Sequence, residues 1–115
     1  MGTMSSPTLK SVVHGSNAKI TNIEIAGSAS YATGGDTLDL SVATLGANAG
    51  FAIVDNVTGG SDGGVYAVRF DRATAGAPAT TKILIYNSAA ADGGDEAANA
   101  ADLSGVTFYI TVTGR

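Results

Sequence analysis

The sequence predicts an all-β fold, a single small β-sandwich of jelly-roll type with about seven to eight short strands. Three observations carry this. Short runs alternate apolar and polar residues with the period of two that sends successive side chains to opposite faces of a strand. Glycine clusters punctuate the runs at the spacing of a sandwich or barrel. No run has the length and 3.6-residue period of an amphipathic helix.

Residues 1–17 read as an N-terminal arm and first short strand, and residues 18–115 as the sandwich domain. Thr8–His14 alternates weakly, as a short strand or ordered arm. Thr21, Ile23 and Ile25 alternate with Asn22 and Glu24, a strand with one wet face. Residues 27–36 form a loop. Leu38, Leu40 and Val42 then alternate with Asp39 and Ser41. Residues 51–57 read as a strand in which Asp55 takes the apolar parity of Phe51, Ile53 and Val57; a bulge or strand end resolves that conflict. Residues 58–64, Thr-Gly-Gly-Ser-Asp-Gly-Gly, read as a turn cluster. Tyr66, Val68 and Phe70 mark the next strand. A loose connection follows over 72–81, then a short strand over 82–87. The tract 88–101 is rich in Ala, Gly and Asp, and its 96–101 portion fits a single helical turn. Val106, Phe108, Ile110 and Val112 alternate strictly with Thr107, Tyr109, Thr111 and Thr113, so this last run is expected to be tied into a sheet. The expected core is Ile23, Ile25, Leu38, Leu40, Val68, Phe70, Val106, Phe108, Ile110 and Val112.

Composition narrows the function. The 115 residues make one domain. Charged residues are 14 %, well under the usual share, leaving a surface of Thr, Ser, Ala and Gly. Six Lys and Arg against a net charge of −4 make no basic stripe, which argues against nucleic acid and anionic membrane surfaces as partners. The absence of cysteine excludes disulfides and zinc–thiolate sites. No stretch approaches a membrane span, and residues 1–7 lack the features of a signal peptide.

Catalytic constellations are missing. His14 is the one histidine, and no nucleophile or orienting carboxylate accompanies it in sequence, so it reads as a surface or interface residue. Asp92, Asp95 and Glu96 cluster on a glycine loop without the register of a calcium loop, and read as a solvated acidic turn. Asp36 and Asp39 read as a strand-entry pair. The glycine pairs at 34–35, 59–60, 63–64 and 93–94 lack a following helix and Gly-Lys-Ser/Thr, so they read as turns and not phosphate loops. Tyr31, Tyr66, Tyr86 and Tyr109 are ordinary sheet residues or, alternatively, a sugar-stacking platform. No enzyme activity, cofactor or metal is expected.

Three tracts in order resemble a known family: Tyr31-Ala-Thr-Gly-Gly-Asp-Thr-Leu-Asp-Leu40 after an opening strand, Gly64-Val-Tyr-Ala-Val-Arg-Phe-Asp71 leading to Lys82-Ile-Leu-Ile-Tyr-Asn87, and an ending of Glu96, Ala101-Asp-Leu-Ser-Gly-Val106 and Gly114-Arg115. From about residue 18 onward the chain resembles the capsid decoration, or cement, proteins of tailed bacteriophages. The resemblance implies a structural virion protein without catalytic residues, made in the bacterial host cytoplasm and bound to the major capsid protein on the capsid surface. Together with the low charge density it implies a homo-oligomer, a trimer first and a dimer second. Met4, Pro7, Leu9 and Tyr31 are the residues expected at a capsid or subunit interface. The alternative is a tail- or fibre-associated or carbohydrate-binding β module, with Tyr31, Tyr86 and Tyr109 on one face.

Overall fold

The strand that ends the sequence lies in the interior of the sheet. In the computed structural model, which describes residues 3–4, 7–15, 18–71, 78–87 and 96–115, eight strands occur. They are β1 (Thr3–Met4), β2 (Thr8–His14), β3 (Lys19–Ala26), β4 (Asp36–Leu38), β5 (Val54–Ser61), β6 (Tyr66–Phe70), β7 (Thr81–Asn87) and β8 (Thr107–Gly114). The one α-helix among the described residues, α1 (Val42–Leu45), is a single turn. The all-β class and the strand number match the expectation.

The arrangement differs from two facing sheets. The strands form one continuous mixed sheet in the order β1-β4-β7-β6-β5-β8-β3-β2, curled into a half-barrel. β8 explains the continuity. It pairs antiparallel with β3 along its full length and with β5 on its other side, so one ladder runs through the middle of the domain. Among the described strands only the β1–β4 pair is parallel.

The curl wraps the core. Ile23 and Ile25 of β3 and Phe108, Ile110 and Val112 of β8 point inward, and each is at most 2 % exposed. Leu38, Leu40 and Val68 join them, while Val106 and Phe70 are half-buried against the cluster. Met4, Tyr31, Phe51, Val57, Ile83, Ile85, Ala97 and Leu103 also belong to it.

Local sequence departs from expectation at three places, each for a visible reason. The strand beginning at Asp36 stops at Leu38 because the Asp39 carboxylate accepts bonds from the Ser41 backbone N–H and hydroxyl, at 2.9 and 2.6 Å. That local turn releases Val42 from the sheet into α1. Burial opposes ionisation of Asp39, but the Ser41 bonds and the Thr44 hydroxyl outweigh it and hold its pKa below the usual value.

Thr58, Gly59, Gly60 and Ser61 belong to β5 and not to a turn. A Cβ at Gly59 would lie 2.2 Å from the Tyr109 carbonyl oxygen, so glycine is what allows β5 and β8 to approach here. The reversal falls on a 3-10 turn at Asp62–Gly64. The expected disturbance at Asp55 is present: the β5–β8 register shifts between Val54 and Asn56.

Residues 96–101 are not helical. Glu96 bridges to Tyr86, and Ala100 adopts φ +67°. The expected acidic turn at Asp92 and Asp95 and most of the loose connection over 72–81 lie outside the described residues.

Candidate functional site

The most elaborate polar structure among the described residues ties the loop after β3 to β7 and to the segment before β8. Tyr31 follows the loop after β3, and its ring is 1 % exposed. Its hydroxyl donates to Glu96 Oε2 at 2.5 Å and accepts from the Ile85 backbone N–H of β7 at 3.1 Å. Its own N–H donates to Ala101 O at 2.8 Å, and its carbonyl accepts from the Ala100 N–H at 2.7 Å. Chain segments around residues 31, 85 and 96–101 therefore meet at one residue.

The intervening Ala-Thr-Gly-Gly turn is bound from both ends. Gly34 N–H donates to Glu96 Oε2 at 2.8 Å, and Thr33 N–H donates to Asn99 Oδ1 at 3.2 Å. Gly35, at φ +119°, presses against β7: a Cβ there would lie 3.2 Å from the Ile83 carbonyl oxygen. Asp36 closes the loop. Its buried carboxylate accepts from the Ser28 hydroxyl at 2.6 Å and from Ala32 N–H at 2.9 Å.

The electrostatics are those of a structural knot. Burial pushes the Tyr31 phenol well above its ordinary pKa, and the Glu96 carboxylate adds to the shift. Tyr31 is a donor held neutral, and Glu96 and Asp36 are acceptors already engaged. Among the described residues no buried side-chain polar atom lacks a partner, and no three His, Cys, Asp or Glu cluster to hold a metal.

The four expected interface residues separate into two kinds. Met4 and Tyr31 turn inward, 3 % and 1 % exposed, so neither side chain presents surface to a partner of the folded monomer. Met4 is the register partner of Leu38 across the β1–β4 pair, which keeps it from being an exposed arm residue. Pro7 is half-buried, and Leu9 is 46 % exposed on β2. His14, at the end of β2, is exposed.

The tyrosines do not gather on one face. Tyr31 is internal, Tyr86 is half-buried under the Arg69 guanidinium at 4.8 Å, and Tyr109 is 47 % exposed beside Glu24. Burial first, then the Glu24 and Asp62 charges, raise the Tyr109 pKa. Tyr66 packs on Phe108, ring centroids 6.2 Å apart. It also lines a pocket of about 260 Å³ with Ser61, Asp62, Val65 and residues 105–107.

The outer face around the centre is polar and ordered. Thr111 of β8 donates to Asn22 Oδ1 of β3, and Asn22 Nδ2 donates to Ser11 Oγ of β2, both at 2.7 Å. Val13 and Ile20, cross-strand partners on this face, are 56 % and 39 % exposed. No described helix is long and apolar enough to cross a membrane. No family model, curated protein or solved structure matches the chain.

Sequence reasoning missed the Tyr31–Glu96 pairing.

Proposed function

We propose that this chain is a structural protein that decorates and stabilises the outer surface of a tailed-phage capsid by binding the lattice of major capsid protein, as a homo-oligomer and without catalysis. The observation that carries the reading is the knot at Tyr31. Tyr31, Ile85 and Glu96, one from each of the three tracts and remote in sequence, meet at one buried phenol. A pattern of residues whose common purpose is to lock loops is the pattern of a scaffold.

A scaffold of this build suits decoration. The sheet is rigidified through β8, the surface is poor in charge, and exposed apolar residues are spread over β2, β3 and the loops. Weak contacts of that kind become strong when repeated over a lattice.

The test is co-sedimentation with shells of the encoding phage that lack this protein. Saturable binding that restores resistance of the shells to heat or chelation is the expected result. No binding to shells, with binding instead to tail fibres or to glycans, would replace this reading with the tail-associated or carbohydrate-binding one.

A further inference from the structure

We propose that the N-terminal arm is exchanged between copies, β1 of one chain docking on β4 of the next. The inference deepens the self-association part of the reading above and does not depend on what shell the oligomer binds.

Strand order supplies the first observation. β1 and β2 are consecutive in sequence but occupy opposite edges of the sheet. Four residue steps separate Met4 from Thr8, a reach of at most about 14 Å. Within one chain the two edges must therefore lie within that reach of each other. Pro7, immediately before β2, has no backbone N–H to donate to either edge.

The second observation is how β1 is held. The strand is two residues long, and its anchor is one side chain, Met4, 3 % exposed in the core. Its seat is built by β4, with Thr3 opposite Thr37 and Met4 opposite Leu38. An identical arm from a second copy satisfies the same register and fills the same seat. Exchange of an identical element across a short connection is a low-cost route to an oligomer.

The third observation is that β2 is left uncovered. Six of its seven residues are exposed, the exception being Val12, which is half-buried. Leu9 is 46 % exposed although its register partner is Ile23, on the core-facing side. A chain that seats Met4 in a neighbour carries its β2 to within the same reach of that neighbour, and a second body then lies against Leu9.

The chain has no cysteine, so a disulfide can report the exchange cleanly. Thr3→Cys and Thr37→Cys are made as separate variants with tags of different mass, unfolded together, refolded and oxidised. Paired strand positions have the Cα separation a disulfide needs. The expected result is a covalent dimer of one Thr3→Cys chain and one Thr37→Cys chain, absent from either variant alone. Light scattering on the wild type is expected to give an oligomer.

A Thr3→Cys/Thr37→Cys double variant that closes only within single chains, with no mixed dimer, overturns the exchange. An oligomer would then leave self-association standing by another surface. A monomer throughout, at high micromolar concentration, overturns exchange and solution self-association together. Failure of all cross-links overturns the β1–β4 register on which the exchange is built.

Discussion

The Tyr31 hydroxyl donates to the Glu96 carboxylate at 2.5 Å across 65 residues of chain. That bond joins the loop after β3 to the segment that leads into β8. It makes the two loops one unit, because Glu96 also accepts from Gly34 and Tyr31 also accepts from Ile85.

Tyr31→Phe keeps the ring and removes both bonds. A hydrogen bond to a charged group contributes about 1.5–3 kcal/mol, and a loss in that range is expected in urea unfolding. The pH dependence has a definite sign. The folded-state pKa of Tyr31 is raised above its ordinary 10.0, so its contribution is complete below that pH and is lost as pH rises through the folded value. Above pH 10.0 the wild type is expected to lose stability more steeply than Tyr31→Phe. Parallel curves for the two proteins would show that the phenol is not held neutral by this site.

Ala100→Gly is expected to stabilise. Ala100 sits at φ +67°, where its N–H meets the Tyr31 carbonyl. The left-handed region costs a non-glycine residue about 1–2 kcal/mol. Glycine relieves that and returns about 0.4–1 kcal/mol to the unfolded chain, for a net gain of about 0.5–1 kcal/mol. Thermal unfolding of the two proteins side by side measures it.

Phe108→Ala empties the centre of the half-barrel. Phe108 is 0 % exposed on β8, an interior strand, and packs against Tyr66. A loss of about 3–5 kcal/mol is expected from denaturant titration. A loss below about 1 kcal/mol would reverse the assignment of the faces of β8.

Leu9→Ser separates folding from assembly. The side chain is 46 % exposed, so monomer stability is expected to change by no more than about 0.5 kcal/mol. Self-association and shell binding, followed by light scattering and co-sedimentation, are expected to weaken. Unchanged assembly would remove Leu9 from the interface.

The strands that were legible from sequence are those with strict alternation and no competing bond. β8 carries Thr and Tyr on one face and Phe, Ile and Val on the other, and Ile23 and Ile25 of β3 face the core opposite Asn22 and Glu24, so hydrophobic burial favours their observed register. The bulge at Asp55 was legible for the same reason, as a polar residue on the wrong parity. The short β4 was not, because the Asp39–Ser41 turn competes locally with the apolar alternation of Leu38, Leu40 and Val42. The Gly59–Gly60 stretch looked like a turn because glycine serves turns and close backbone approach equally well. Whether β8 would lie against it depends on residues about fifty positions later. The knot was hidden because a phenol and a carboxylate 65 residues apart leave no periodic trace. Met4 was expected at an interface and not in the core because its seat, β4, is also remote in sequence.

Counting the protein in purified particles tests the central claim most directly. The proposed role predicts that quantitative mass spectrometry of tailed-phage virions carrying this chain finds it in fixed, high ratio to the major capsid protein, on particles with and without tails. Its absence from tailless heads, or its presence in only a few copies per virion, would contradict a role in capsid decoration.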